Sequence, residues 1–177
     1  GTLRLWHIDS SDCLRELTGS GEPVRAATLA EDGRVAISAA ASTLWRWDLL
    51  TSTRAARHGH QADITAVTLT RDGRRALSGD DTGRLLLWNL EDDRPATELP
   101  AHPAAVVGLA LGPDATEVVS ADANGTVRVT RLDTKAVRCE HTTGGPAACM
   151  ALDPNGEQVA VVGKDGAVWL WDLPPEP

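Results

Sequence analysis

LLLWNL (Leu85–Leu90) and VWLWDL (Val168–Leu173) are two versions of one phrase, and the chain holds three more. LRLWHID spans Leu3–Asp9, LWRWDL spans Leu44–Leu49 and VRVTRL spans Val127–Leu132. The Trp positions fall at 6, 47, 88, 130 (where Thr130 stands) and 171, spacings of 41, 41, 42 and 41 residues. A second signature runs in phase: AEDGR from 30, TRDGR from 70, GPDAT from 112 and DPNGE from 153. Two independent motifs with one period mark an array of structural repeats.

Each period holds strand-length pieces and no helix. Ile64–Leu69 is close to the period-two pattern of a half-buried strand. Arg71-Asp72-Gly73-Arg74 is a tight hairpin turn in which Gly73 is free to take the positive φ such turns need. Arg75–Ser78 is a second strand, Asp81-Thr82-Gly83 another turn and Leu85–Trp88 a third strand. Ala96–Leu99, largely polar and bracketed by Pro95 and Pro100, fits an outer edge strand. No 11-residue window has helical periodicity with caps. A four-stranded sheet of this kind is apolar on both faces, and radial stacking is the way to bury both.

Composition agrees. The 177 residues include six Trp but no Phe or Tyr, so Val, Leu, Ile, Ala and Trp must build the core. Gly and Pro, 26 together, are spread evenly as many short strands and turns require. The net charge is −8 and the 17 basic residues, 15 of them Arg, are scattered. That argues against nucleic acid, whose binding rests on phosphate neutralisation. No apolar run reaches the ~18 residues of a membrane span. Cys13, Cys139 and Cys149 are odd in number and lack metal-ligand spacing, so they are expected to be buried free thiols in a reducing, cytoplasmic compartment.

The repeats resemble WD repeats, sharing their length, their Gly-His opening (Gly59-His60) and their Trp-Asp ending (Trp47-Asp48, Trp171-Asp172). The expected fold is therefore an all-β propeller of four-stranded antiparallel blades, about four of them in the 177-residue chain. Residues 1–18 give a partial blade of third and outer strands; 19–59, 60–100 and 101–143 give blades, and 144–177 a blade lacking its outer strand. In WD repeats a His, a strand Ser or Thr, a turn Asp and the strand Trp form a buried network within each blade. By position the resemblance implies His60, Ser78, Thr82 (in the Asp place, beside Asp81) and Trp88 in one blade. The blade before it keeps Ser38 and Trp47, with Ser20 and Ala41 for His and Asp. The next keeps His102 and Ser120, with Asn124 and Thr130 for Asp and Trp. The last keeps Asp165 and Trp171, with Thr143 and Val161 for His and Ser.

Other residues that could carry chemistry have simpler explanations. His58-Gly59-His60 is the nearest thing to a metal pair, but no further His or Cys stands at ligand spacing. Asp80-Asp81 and Asp92-Asp93 sit at turns, where Asp bonds locally. Asn124-Gly125-Thr126 fits a glycosylation acceptor and equally a turn, which is the reading taken. Trp45/Trp47 and Trp169/Trp171 each put two indoles on one strand face, as packing between blades requires. No glycine-rich loop precedes a helix, so a phosphate cradle has no support.

The function the resemblance implies is a protein-interaction scaffold or sensor without enzymatic activity or cofactor. Its protein or peptide partner would lie on the narrow top face. The Arg- and Ala-rich style resembles repeat arrays of bacterial multidomain proteins. Arg25, Gln61, Asp63, Asp81 and Lys164 are the candidate partner-binding residues at the top entry. The alternative is a propeller enzyme or cofactor binder, but Ala40, Asp81, Ala123 and Lys164, just before the turn-Asp position, share no chemistry. Strand counting also predicts a fragment: Gly1–Trp6 and Cys13–Leu17 lack first and second strands, and Ala167–Trp171 is followed by prolines and no outer strand. Such a chain forms an open arc, or associates with a second chain through its uncovered faces.

Overall fold

The computed structural model describes residues 1–19 and 21–173, so Ser20 and the prolines from Pro174 onward lie outside the described residues. An N-terminal hairpin pairs β1 (Thr2–His7) with β2 (Asp12–Thr18). Blade 1 follows as β3 (Val24–Leu29), β4 (Val35–Ala40), β5 (Thr43–Asp48) and β6 (Thr53–His58). Blade 2 is β7 (Ile64–Leu69), β8 (Arg75–Asp80), β9 (Leu85–Asn89) and β10 (Thr97–Leu99). Blade 3 is β11 (Val106–Leu111), β12 (Glu117–Asp122), β13 (Thr126–Arg131) and β14 (Val137–Thr142). Blade 4 has three strands, β15 (Ala147–Leu152), β16 (Gln158–Gly163) and β17 (Val168–Asp172). Every pairing joins sequence neighbours antiparallel, and the described residues form no helix.

Stacking follows from the strand period. Residues two apart share a face, so β4 turns Ile37 and Ala39 one way and Ala36 and Ser38 the other. Ile37, Ala39 and Leu44 of blade 1 pack on Ile64, Ala76, Leu86 and Trp88 of blade 2. Leu77 and Leu85 of blade 2 meet Val106 and Val118 of blade 3. Val119, Ala121, Val127 and Val129 of blade 3 meet Val159 and Val161 of blade 4. Fit is close: a Cβ on Gly79 would stand 2.6 Å from Val106 Cγ1, and one on Gly108 would stand 2.1 Å from Met150 Cγ.

At both ends of this arc the same kind of surface is uncovered. Val168 and Leu170 of blade 4, 61% and 71% exposed, are counterparts of the buried Leu85 and the half-buried Leu87. At the other end the hairpin covers part of blade 1, bringing Leu3 and Leu17 onto Ala36, Trp47 and Leu49. Leu29 stays 49% exposed, and Trp6, at the repeat's Trp position, is 53% exposed. The arrangement is an incomplete propeller of about four blades.

The cysteines correct one expectation. They are free, but Cys13 and Cys149 are exposed and Cys139 is half-buried. Cys149 faces outward beside Val162 on the uncovered side of blade 4, where no further blade buries it. Cys139 lies against the blade 3–4 core, and burial pushes its thiol above the ordinary range.

Burial thus separates positions of equal chemistry. Leu77→Ala, at a fully buried position, should cost about 2–5 kcal/mol. Leu170→Ala, on the open face, should stay within about 0.5 kcal/mol of the parent. Chemical denaturation of both variants checks the pair.

Candidate functional site

The loops that join one blade to the next, and the turns between second and third strands, gather on one rim. Backbone bonds lace them together. Asp81 N donates to Asp63 O (3.0 Å), Ala123 N to Ala105 O (2.7 Å) and Lys164 N to Pro146 O (2.9 Å). Bonds also cross between blades: Ile64 N to Ala41 O (2.9 Å), His102 N to Gly83 O (2.9 Å) and Thr143 N to Gly125 O (2.9 Å). Gly83 holds a φ of +91°, and a Cβ there would stand 2.2 Å from the His102 carbonyl, so only glycine lets the blades approach this closely.

All five candidate partner-binding residues stand on this rim or at its edge. Arg25, at the start of β3, pairs with Asp63 of the next blade's loop at 2.8 Å. Gln61, Asp81 and Lys164 are exposed. The chain therefore offers a rigid backbone frame carrying separate charged and polar side chains.

Beneath the rim lie the polar networks. In blade 2, Trp88 Nε1 donates to Ser78 Oγ (2.7 Å), and Ser78 Oγ lies 2.6 Å from His60 Nε2. His60 Nδ1 lies 2.7 Å from Asp80 Oδ2. Here the acid is Asp80 and not Thr82, which corrects the position implied by the resemblance. Ser78 and Asp80 are two apart on β8 and point to one side, so both reach His60. Thr82 instead supports the acid: its amide (3.0 Å) and hydroxyl (2.7 Å) donate to Asp80 Oδ1, joined by the Arg84 amide (3.0 Å). Burial alone would raise the Asp80 carboxyl, but the bonds from Thr82, His60 and the Arg84 amide outweigh it and hold it below the ordinary range. Burial pushes His60 below the ordinary histidine pKa, only partly offset by Asp80.

Blade 3 repeats the plan with a defect. His102 Nε2 and Ser120 Oγ are 2.8 Å apart, but His102 Nδ1 stands 3.5 Å from Asp122 Oδ2 without hydrogen-bond geometry. Asp122, not Asn124, is the acid; it accepts from the amides of Asn124 (3.0 Å) and Thr126 (2.8 Å). Thr130, in the Trp place, is buried with an unpartnered hydroxyl. Burial lowers the His102 pKa as it does for His60.

The outer blades are sparser. In blade 1, Trp47 Nε1 donates to Ser38 Oγ at 2.9 Å, Ala40 stands where Asp80 stands, and Ser20 lies outside the described residues. The guanidinium of Arg54 lies over Trp45 and Trp47, at 5.0 and 5.8 Å from the ring centroids. In blade 4, Gly163 takes the acid's place, Asp165 accepts from the Ala167 amide at 3.0 Å, and Trp171 stacks on His141 at 5.8 Å. A Cβ on Gly163 would stand 2.5 Å from Asp165 Oδ1, so the turn carboxylate fills the space that the Asp80 side chain fills in blade 2. Thr143, in the His place, bonds the Gly145 carbonyl.

A repeated clamp was not anticipated. Arg84 Nη1 donates to Gly59 O (2.7 Å), the carbonyl before His60, while its Nε donates to Glu98 (2.9 Å). Arg128 treats Ala101 O, before His102, and Glu140 in the same way, at 2.6 Å each. Arg128 and Glu140 face each other across the third and fourth strands, whereas Arg84 stands just before β9 and reaches Glu98, which is registered opposite Leu86. At the opposite end a cleft of about 780 Å³ opens between blades 3 and 4, lined by Pro113, Glu117, Arg138, Leu152, Gln158 and Asp172. None of the expected site residues lines it. Among the described residues no group of three or more His, Cys, Asp or Glu side chains could hold a metal ion.

Stacked four-stranded sheets, one of them with a complete Trp–Ser–His–Asp network, define a class, and sequence comparison agrees. Residues 52–89, 93–130 and 135–172 match the WD domain, G-beta repeat, and the chain belongs to the WD-repeat family. It is similar to autophagy-related protein 16 of Arabidopsis thaliana, 24% identical over 97% of this chain and 35% of that protein. It is also similar to telomerase protein component 1 of Rattus norvegicus, 28% identical over 96% of this chain and 7% of that protein. WD repeat-containing protein 55 of Mus musculus is 25% identical over 64% of this chain and 29% of its own length. The chain spans about a third or less of these relatives.

The two roles at the acid position separate by mutation. Asp80→Ala strands His60 and the turn amides and should cost about 1–3 kcal/mol, whereas Thr82→Ala removes one hydroxyl bond and should cost about 0.5–1.5 kcal/mol. Thermal unfolding of the two variants checks the order.

Proposed function

We propose that this chain is a non-enzymatic protein-interaction module whose rim holds a protein or peptide partner. The observation that carries the reading is the laced rim: its backbone is fixed by bonds within and between blades while Gln61, Asp81 and Lys164 project into solvent. Membership of the WD-repeat family supports it. Loops on a rigid frame bind without a large ordering cost. The rim positions Asp81, Ala123 and Lys164 share no acid–base chemistry, which favours recognition over catalysis. We take the cytoplasm as its compartment, since three free thiols suit a reducing environment.

The reading includes self-association. Val168 and Leu170 present a surface of the kind that every interior blade buries against a neighbour, and patches of this sort drive association. Light scattering should find dimers or larger species, and Val168→Asp with Leu170→Glu should shift the mass toward monomer. A parent protein that is monomeric at all concentrations refutes this part.

For the partner, Gln61→Ala, Asp81→Ala and Lys164→Ala should leave the circular dichroism spectrum intact. Proteins retained by the parent chain should be lost by the triple variant, with a loss of about tenfold or more in affinity for any central contact. Retention that ignores these changes but responds to Arg94→Ala or Lys135→Ala would move the interface to the outer rim.

A further inference from the structure

We propose that the rim is acid-sensitive: a proton added to His60 breaks the hydrogen-bond chain that holds the Gly59–Asp63 loop on blade 2, and frees Gln61 and Asp63 from their fixed positions. The effect on a partner rests on the reading of the rim as a binding surface; the release of the loop does not.

The chain of bonds in blade 2 runs in one direction. An indole Nε1–H can only donate, so Ser78 Oγ accepts from Trp88 at 2.7 Å. The serine then gives its single proton to His60 Nε2 at 2.6 Å. That nitrogen is therefore the acceptor of a neutral imidazole, and Nδ1–H donates to Asp80 at 2.7 Å. A second proton on the ring would aim two N–H groups at Ser78 Oγ and leave the hydroxyl proton without an acceptor. Ser78 is fully buried and has no third hydrogen-bond partner among the described residues. A buried polar group left without a partner is costly.

Blade 3 is the internal comparison. Thr130 replaces the indole, and Ser120 Oγ has a second outlet in the Arg128 carbonyl at 3.5 Å. Its serine can reverse and accept from a protonated His102, whose Nδ1 faces Asp122 Oδ2 at 3.5 Å. The one-way constraint belongs to blade 2.

The titratable groups acting on His60 are Asp80 on β8, Arg84 beside β9 and Glu98 on β10. Arg84 opposes a proton, while Asp80 and Glu98 favour one; burial, reinforced by Arg84, outweighs the two carboxylates and holds the imidazole below its ordinary pKa. The sign follows. A released loop binds a proton with the ordinary affinity of histidine, near pH 6.5, and the docked loop does so only at lower pH. Docking is therefore at full strength above about pH 6.5 and weakens as the pH falls below it. Asp80, held below its ordinary range, stays ionised through this window.

Two backbone bonds report on the loop: Asp81 N to Asp63 O and Ile64 N to Ala41 O. Amide hydrogen exchange, corrected for intrinsic rate, should show their protection falling between pH 7.5 and 5.5 by up to about tenfold per pH unit, the limit for one proton. The blade 3 amides of His102 and Ala123 should change less. His60→Gln should abolish the pH dependence. Trp88→Phe, which leaves one N–H in place of two aimed at Ser78 Oγ, should blunt it even if His60→Gln folds poorly. Equal protection at both pH values, an unchanged slope in both variants, or a nitrogen NMR spectrum with His60 Nε2 protonated at pH 7.5 would overturn the proposal. A loop that opens in acid while a rim-bound partner stays bound would refute the binding reading and leave this one standing.

Discussion

A sheet that is apolar on both faces cannot exist alone in water, and this constraint organises the whole chain. Each interior blade hides one face on the blade before it and the other on the blade after it. The tight repeat of 41 or 42 residues is the spatial consequence: every unit must present the same two surfaces in the same register. Where the succession stops, identical side-chain chemistry changes meaning. Leu85 is core and its counterpart Val168 is surface, though nothing in their local sequence separates them.

The buried networks are a second layer on that frame. In blades 2 and 3 they fix the entering loop to the sheet below through its histidine, and they vary from blade to blade. Blade 1 keeps only the indole–serine bond, blade 3 loses the indole, and blade 4 retains neither serine nor histidine. The backbone lacing of the rim continues through all of them. The hydrophobic stack supplies the stability and the polar groups supply position, which is how a rim can stay ordered while the networks beneath it vary.

Much of this was legible in the sequence. The Trp period pointed to stacked four-stranded sheets, and near-alternation marked Ile64–Leu69 as a strand, because both follow from local geometry. The network acid was not, since a turn position two residues beyond Asp80 matches the family pattern and the strand position does not. The alternation of β8 contained the answer: Ser78-Gly79-Asp80 puts serine and acid on one side. Cys149 was misread for a different reason. Its exposure depends on whether another sheet covers that face, a fact that no local pattern records.

The family's sequence unit and the structural blade are out of step. The matched segments begin at residues 52, 93 and 135, in the turns before outer strands, whereas the blades divide at the rim loops. Each unit thus contributes its first strand to one sheet and its remaining three to the next. Duplication or loss of a unit at these boundaries would lengthen or shorten the arc by one blade, yet every interior sheet would keep its full set of strands. Recombination at such seams changes the size of the assembly without opening an edge inside it. The number of blades in a WD array is in that sense a free variable, separate from the stability of any one of them.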